Sequence, residues 1–339
     1  MKQHFTLGLM VIITMAKATA GIGQLPQVER VTNNSTNEVL PRADGPDTYW
    51  VEVLSPVGPP SVWGQLIKNN QVVSLPENYT GRVTEFEVLG GHVTVAAYSG
   101  SQPYPWALCH DQVLLYHGGS PPVGGFGLFH NLVTSSSSEW GCLSLNRLVK
   151  NGGWVDLPIN FPGADQIHLA GVRGQGYFYT DHLLPAWQGK VFDQAGNVLL
   201  SNLGEIKKAR LVGDLLIVSY VDGGNSHLIS YDMVGGVQTT IHNSSTIVVG
   251  DLTHDGKNVV WVTGDLTSPG SPVQMEVLIE GVRSTIVPPA PVATSLASSN
   301  ISISGSTVVW AGIPSGDSDT EIYRWRSTNA VGDEWSAYE

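Results

Sequence analysis

One short phrase recurs along this chain and constrains its fold more than any other feature. It is a Gly-containing turn followed by β-branched and aromatic residues, as in Gly305-Ser-Thr-Val-Val-Trp310. The same phrase starts at Gly174, Gly213 and Asp255, and successive starts lie about 40 to 50 residues apart. Because β-branched runs bounded by tight turns are typical of strands, the chain is predicted to be an array of similar β units.

Three further segments fit the position of this phrase nearer the N-terminus. Gly90–Tyr98 and Gly125–Val133 fit it well, and Tyr49–Leu54 fits it more loosely. Together the copies indicate seven units. The stretch 99–124 leaves little room for the second unit, so six units is the alternative.

A second phrase follows several copies of the first and has the pattern of a hairpin. It consists of a strand, a turn rich in Asn, Asp or Gly, and another strand, and these turn residues tolerate positive φ angles. Its copies are Trp63–Pro76, Asn146–Pro158, Val191–Leu200 and Ile229–Gln238. Each unit is thus predicted to hold four short strands. Sheets of this size become stable when they ring a channel, so the predicted fold is an all-β propeller with four-stranded blades.

The N-terminus has the pattern of a secretory signal peptide. Lys2 supplies a positive charge, Phe5–Met15 is apolar but too short to span a bilayer, and Ala18-Thr-Ala20 fits a cleavage site. We therefore expect an exported protein, periplasmic or secreted, whose mature chain has no membrane span.

The repeats and the signal peptide together predict three segments. Residues 1–20 are the signal peptide, and residues 21–44 are an irregular leader that adds an edge strand at 28–31. Residues 45–339 are expected to form a single propeller domain.

The charge balance excludes one class of partner. The chain has 17 Lys and Arg against 29 Asp and Glu, whereas binding a nucleic-acid backbone requires clustered positive charge. The densest basic run, Lys207–Arg210, is interpreted as a solvated turn. We expect a protein or carbohydrate partner and no nucleic acid.

Two cysteines, Cys109 and Cys142, fit either of two interpretations. In an oxidising compartment they can form one disulfide. Alternatively, they are two buried thiols in neighbouring units.

The two C-terminal units share a longer pattern. Asp255-Gly-Lys-Asn-Val-Val-Trp261 is one copy, and Val308-Val-Trp310 followed by Asp319-Thr-Glu-Ile-Tyr-Arg-Trp325 is the other. These segments resemble the TolB-like class of β-propeller repeats, in which a "dG..hvW" strand precedes a polar loop and an "..IY.w" strand. The resemblance extends more loosely over residues 174–240. It implies a propeller in an exported or envelope setting, and such propellers serve as binding platforms, as lids beside hydrolases, or as lyases of acidic polysaccharides.

Histidines next to aspartates are the candidates for catalysis. A polysaccharide lyase needs a base near the α-proton and a positive group on the carboxylate. His110, His182 and His254 are the candidate bases, and Arg173 is the candidate cation. Each histidine also fits a turn or core position, and no histidine spacing in the sequence assigns a metal site.

Alternating carboxylates and scattered tryptophans are the candidates for ligand binding. Asp317, Asp319 and Glu321 offer the oxygen ligands that Ca²⁺ requires, although a solvated hairpin loop is the simpler interpretation of these residues; no other cofactor is expected. Tryptophans near predicted loops can stack on sugars or pack between blades. They are Trp63, Trp106, Trp140, Trp154 and Trp187.

These observations lead to three functional hypotheses. The first is a non-catalytic binding platform for a protein or a glycan, and the second is a carbohydrate-active enzyme, most plausibly a lyase, with a His/Arg site in the central funnel. A structural module of an envelope assembly is a third reading. The enzyme requires a histidine and an arginine or tyrosine to converge at one mouth of the channel.

Overall fold

The described part of the chain consists of strands, turns and irregular segments. It comes from a computed structural model, which describes residues 28–55, 63–76, 79–80, 82–98, 106–118, 130–144, 147–157, 167–180, 189–245, 248–264, 274–290, 292 and 300–327. The signal peptide predicted at residues 1–20 lies outside these ranges. Within them we find no helix of the length and hydropathy that a bilayer crossing demands.

Strand β1 (Val28–Arg30) comes first, in the segment where an edge strand was predicted. The remaining strands of the described residues follow as groups that we number units 1 to 7 in chain order. Unit 1 contains β2 (Glu38–Asp44), β3 (Asp47–Ser55), β4 (Trp63–Lys68) and β5 (Gln71–Val72). Unit 2 contains β6 (Val83–Leu89), β7 (His92–Tyr98), β8 (Trp106–His110) and β9 (Val113–Gly118). Unit 3 contains β10 (His130–Ser136), β11 (Glu139–Ser144), β12 (Arg147–Lys150) and β13 (Gly153–Asp156).

The later units repeat the same order. Unit 4 contains β14 (His168–Arg173), β15 (Gln175–Tyr179), β16 (Val191–Asp193) and β17 (Val198–Leu200). Unit 5 contains β18 (Glu205–Val212), β19 (Leu215–Asp222), β20 (Asn225–Asp232) and β21 (Gln238–Ser244). Unit 6 contains β22 (Val248–His254), β23 (Val259–Thr263), β24 (Gln274–Ile279) and β25 (Val282–Ile286). Unit 7 contains β26 (Ile301–Ser304), β27 (Thr307–Gly312) and β28 (Glu321–Arg326).

Neighbouring strands within each unit pair antiparallel. Units 3, 4, 5 and 6 each form a separate four-stranded sheet, and β1 completes the sheet of unit 7. Units 1 and 2 share one sheet, joined where Gly64 of β4 pairs with Val83 of β6. Because these two units are continuous, the number of seven separate blades stays a prediction.

The predicted hairpins are present, and their turns have the backbone angles that the sequence indicated. Asn69 and Asn70 join β4 to β5 with φ angles of 48° and 65°, and Asn151 and Gly152 join β12 to β13 with 47° and 79°. Asparagine and glycine adopt these angles at low cost, so the turn residues set where each hairpin reverses.

One copy of the first phrase was assigned to the wrong strand. Gly125–Val133 was read as a turn and a second strand, but its described end lies in β10, the first strand of unit 3. The second strand is β11, and the serine-rich segment Ser135–Ser138 leads into it. A serine turn carries no glycine signal, and this explains the misplacement.

The first strands of the units form a closed ring. Each of β2, β6, β10, β14, β18, β22 and β26 contacts the next in this order, and β26 contacts β2. At Gly171 of β14 the packing is so close that an added Cβ would lie 2.6 Å from the Leu211 Cβ and 2.7 Å from the Ser135 Oγ. Only glycine fits between these neighbouring first strands.

The hydrophobic core lies between the units as a series of separate clusters. Val51 and Phe86 belong to the cluster between units 1 and 2, and Leu148 and Phe178 belong to the one between units 3 and 4. Trp310 is fully buried in the cluster that unit 6 forms with unit 7. Each interface thus contributes its own apolar burial, as in other repeat architectures.

An N-terminal strand closes the ring at unit 7. β1 pairs antiparallel with β28, with Val28 opposite Trp325. The Arg30 Nη2 lies 2.5 Å from one Glu321 carboxylate oxygen, and the Thr32 hydroxyl donates to the other. Glu321 is almost fully buried, so these two partners replace the water that its carboxylate would otherwise contact.

We predict that Arg30→Met lowers the free energy of unfolding by about 2 to 4 kcal/mol, because it leaves the buried Glu321 carboxylate without its cation. Urea unfolding at pH 7 measures this loss. The matched control is Arg324→Met, whose partner Glu29 is 58% exposed and whose loss should cost about 1 kcal/mol or less. Equal losses of unfolding free energy for the two variants would contradict the buried Arg30–Glu321 ion pair where β1 joins unit 7.

Candidate functional site

Charged side chains of the first strands meet at the centre of the ring. Arg42 of β2 places its Nη2 2.7 Å from Glu87 Oε1, and Arg210 of β18 places its Nη2 2.7 Å from Glu87 Oε2. These residues belong to units 1, 2 and 5, so the contact between Glu87 and Arg210 crosses the ring. Glu87 is 2% exposed and Arg42 is 5% exposed. The centre of the ring is therefore filled by ion pairs where these three side chains meet.

A second set of charges extends this arrangement to units 3, 6 and 7. Lys208 Nζ lies 3.2 Å from Asp251 Oδ1, while Asp251 Oδ2 accepts the backbone N–H of Asn300 at 3.0 Å. Glu85 Oε1 accepts the backbone N–H of Leu132 at 2.9 Å. We call the six charged residues of these two sets the central ion cluster; they are Arg42, Glu85, Glu87, Lys208, Arg210 and Asp251.

The two glutamates of the cluster have opposite pKa shifts. Burial alone would raise the pKa of Glu87, but the charges of Arg210 and Arg42 outweigh it and lower the pKa to about 2. Burial raises the pKa of Glu85 to about 7, since only the Leu132 amide and more distant cations oppose it. Glu87 is thus ionised at any physiological pH, whereas Glu85 exchanges a proton near neutrality.

The interpretation of Lys207–Arg210 as a solvated turn was wrong. The run lies in β18, where alternate residues point to opposite faces. Lys208 and Arg210 consequently point together into the ring, and Glu85 and Glu87 do the same on β6. Charged residues two positions apart on a first strand are the sequence signal that could have identified the cluster.

The catalytic candidates do not converge within the described residues. His254 is buried, its Nε2–H donates to the Arg210 carbonyl at 2.8 Å, and its Nδ1 accepts the Gly256 N–H at 3.3 Å. Burial lowers the pKa of His254 to about 4, so the ring is neutral and both nitrogens are engaged. Arg173 pairs with Asp214 at the surface. His182 lies outside the described residues.

The third histidine candidate, His110, belongs to a small polar group in unit 2. Its Nδ1 lies 2.9 Å from the Thr94 hydroxyl, and its Nε2 lies 3.5 Å from Asp111 Oδ2. His92 Nδ1 lies 2.7 Å from the same carboxylate oxygen. The sequence showed His110 beside Asp111, but it did not show that pairing of β7 with β8 brings His92 to them.

The three calcium candidates are separated by a cation. Arg30 Nη2 lies 3.6 Å from Asp317 and 2.5 Å from Glu321, so it occupies the space between these two carboxylates. Asp319 accepts a hydrogen bond from Ser318. Among the described residues, the group whose ligand atoms lie close enough for one ion is His92, His110 and Asp111. Calcium binding stays a prediction.

Two of the five candidate tryptophans fill the interface between units 2 and 3. Trp106 packs against Tyr98 with ring centroids 4.5 Å apart, and Trp140 packs against His110 at 5.1 Å. Both are buried, so their faces are not available to a sugar. Trp154 is half-buried beneath the Arg147 guanidinium. Trp187 lies outside the described residues, as does the side chain of Trp63.

Cys109 and Cys142 are buried thiols and do not form a disulfide. Cys109 packs in the cluster between units 1 and 2, whereas Cys142 packs in the cluster between units 2 and 3. Burial raises the pKa of Cys142 well above its ordinary value. The interpretation as two buried thiols in neighbouring units therefore fits the structure.

A buried carboxyl group also lies near the place where β1 pairs with β28. Glu38 starts β2, and its carboxylate oxygens lie 3.0 Å from the Thr36 hydroxyl and 3.4 Å from the Thr32 hydroxyl. Burial raises its pKa to about 7, and the nearby charge of Glu321 adds to this effect. Near neutral pH, ionisation of Glu38 therefore works against the folded state.

Solved structures resemble this ring over most of its length. An oligogalacturonate lyase in complex with manganese aligns with a TM-score of 0.59 and 11% identity, covering 89% of this chain and 93% of that one. The β-propeller domain of the Trilobed protease from Pyrococcus furiosus aligns with a TM-score of 0.56 and 10% identity, covering 86% and 96%. Puromycin hydrolase aligns with a TM-score of 0.53 and 15% identity, covering 88% of this chain and 54% of that one.

The fold is a β-propeller. Identities this low show the fold alone, and they confirm the all-β propeller predicted from the repeats. No protein-family model matches the sequence, and no curated protein matches it. The narrower TolB-like assignment stays a prediction.

We predict that Arg42→Met lowers the free energy of unfolding by about 3 to 5 kcal/mol, because Glu87 then keeps only one of its two guanidinium partners in a buried site. Urea unfolding at pH 7 measures the loss. Arg147→Met is the control, since its partner Asp156 is 76% exposed and its removal should cost about 1 kcal/mol or less. A loss below about 1 kcal/mol for Arg42→Met would contradict a buried ion pair between Arg42 and Glu87.

We predict a pH-dependent gain in stability for Glu38→Gln. An unfolded glutamic acid ionises near pH 4.5, whereas folded Glu38 holds its proton up to about pH 7, so this group makes the wild type less stable as pH rises between these values. The variant should therefore gain about 1 to 3 kcal/mol relative to wild type between pH 4.5 and 7.5. Urea unfolding across this range measures it, and Glu29→Gln, at a carboxylate that is 58% exposed, is the control.

Proposed function

We propose that this chain is an exported β-propeller that binds a protein or a glycan on a face of its ring without catalysing a reaction. The observation that carries the proposal is the central ion cluster. It fills the middle of the ring, and the cations in it already contact carboxylates of the chain. A ligand would then meet the faces and rim of the ring.

The alternative, a polysaccharide lyase, needs a base with an available lone pair and a cation for the substrate carboxylate. Both nitrogens of His254 are engaged within the protein. Arg173 and Arg210 each contact a carboxylate, those of Asp214 and Glu87. The likeness to an oligogalacturonate lyase is a likeness of fold, and fold does not determine activity. These points support the binding platform over the enzyme.

The nature of the partner follows from the surface and from the sequence. The acidic chain disfavours a nucleic acid, and the signal-peptide pattern supports a periplasmic or secreted location. Burial of Trp106 and Trp140 leaves Trp154, with Arg147 over its face, as the described candidate for stacking on a sugar. A protein partner fits the same faces of the ring.

The deciding experiment is a thermal-unfolding screen with neutral and acidic polysaccharides, in Ca²⁺ and in EDTA. Ultraviolet absorbance, followed in parallel, detects the unsaturated uronate that a lyase releases. We expect a polysaccharide to raise the melting temperature without new absorbance, or no polysaccharide to act if the partner is a protein. Absorbance of unsaturated uronate that grows with time would overturn the proposal and establish the lyase.

A further inference from the structure

Three side chains with metal-binding atoms meet at the turns of unit 2. His92 is the first residue of β7, His110 is the last residue of β8, and Asp111 begins the turn into β9. Thr94 pairs with His110 across the two strands. Because His92 and Thr94 are two residues apart on one strand, both imidazoles lie on the same face of the sheet. Their rings stack with centroids 5.9 Å apart.

The ligand atoms of this group are close enough to share one ion. One atom from each of the three residues lies within 4.8 Å of the others. Asp111 Oδ2 is the common neighbour, 2.7 Å from His92 Nδ1 and 3.5 Å from His110 Nε2. An ion would replace the hydrogen bond between His92 and Asp111, and the neutral His92 imidazole would then carry its proton on Nε2 instead of Nδ1.

From this geometry we propose that His92, His110 and Asp111 bind one divalent transition-metal ion of the zinc class. Two imidazole nitrogens and one carboxylate oxygen are a donor set that such ions take, whereas Ca²⁺ and Mg²⁺ take oxygen ligands. The proposal does not depend on the proposed function, because it concerns a different part of the ring from the central ion cluster.

Neighbouring groups hold the ligands in a binding orientation. The Thr94 hydroxyl contacts His110 Nδ1, which leaves His110 Nε2 directed towards Asp111. The Val93 N–H donates to Asp111 Oδ1 at 2.9 Å and leaves Oδ2 for the ion. Trp140 of unit 3 stacks on the His110 ring and walls the site on that side. Outer partners of this kind fix ligand geometry in metal sites.

The backbone contributes to the same arrangement. Asp111 has a φ angle of 48° and Gln112 one of 64°, so the tight turn projects the carboxylate back over the sheet. The Asp111 N–H also donates to the Val93 carbonyl at 2.9 Å. Aspartate tolerates this conformation better than most residues, and glutamine rarely adopts it.

Three protein ligands leave a fourth coordination position open. The side chains of His92 and Asp111 are each 41% exposed, so the open position faces solvent. Water would fill it, or a carboxylate or imidazole of a partner. This follows the pattern of zinc sites that keep one position for an exogenous ligand.

The test is titration of the full chain, without a polyhistidine tag, with Zn²⁺ by calorimetry and with Co²⁺ by visible absorption. We expect one ion per chain with micromolar or tighter affinity. His92→Gln and Asp111→Asn should each weaken Zn²⁺ binding at least about tenfold, and Thr94→Val, which removes only the positioning hydroxyl, should weaken it about 10- to 100-fold.

His227→Gln is the matched control, because this histidine also lies half-buried on a strand but stacks on Tyr220 away from the group. It should bind Zn²⁺ as the wild type does. The urea midpoint of each variant shows that it is folded, and the exposure of His92 makes His92→Gln safe in this respect. Wild type that takes up no stoichiometric ion, or a His92→Gln variant with wild-type affinity, would overturn the proposal.

Discussion

Glu87 accepts hydrogen bonds from two guanidinium groups that reach it from different parts of the ring, and the rest of the architecture depends on this contact. Arg42 comes from the neighbouring unit, whereas Arg210 comes from a unit that is not a neighbour. A buried ion pair of this kind is costly to break, because any member left alone stays desolvated. The contact therefore holds the first strands at fixed distances and closes the middle of the ring.

Around this centre, side chains join several neighbouring units by bonding to the neighbour's backbone. Ser302 accepts the Ala43 N–H at 3.1 Å, and Ser135 accepts the Val172 N–H at 2.8 Å. At the exposed turn between β6 and β7, Asp44 likewise accepts the Gly90 N–H at 2.8 Å. Buried backbone groups at the inner edge need such partners. Apolar clusters then fill the space further out, so polar groups set the register between units while hydrophobic burial stabilises it.

The sequence predicts those features that depend on neighbouring residues. Repeated turn-and-strand phrases indicate the all-β propeller, and Asn69-Asn70 marks a hairpin that the structure contains. The sequence does not predict contacts between residues that are far apart along the chain. Glu87 and Arg210 are 123 positions apart, so the basic run in β18 looked like a solvated turn. His92 joins His110 only once β7 pairs with β8. Trp140 looked available because its burial depends on the neighbouring unit.

The measurement that tests this account most directly is a double-mutant cycle between Glu87→Gln and Arg210→Met, followed by urea unfolding. Two residues in contact show a coupling free energy of about 0.5 to 3 kcal/mol, whereas distant independent residues add within about 0.5 kcal/mol. A buried contact across the ring predicts coupling near the upper end, about 2 to 3 kcal/mol. Additive effects of the two substitutions would show that units 2 and 5 do not meet, and would contradict a closed centre.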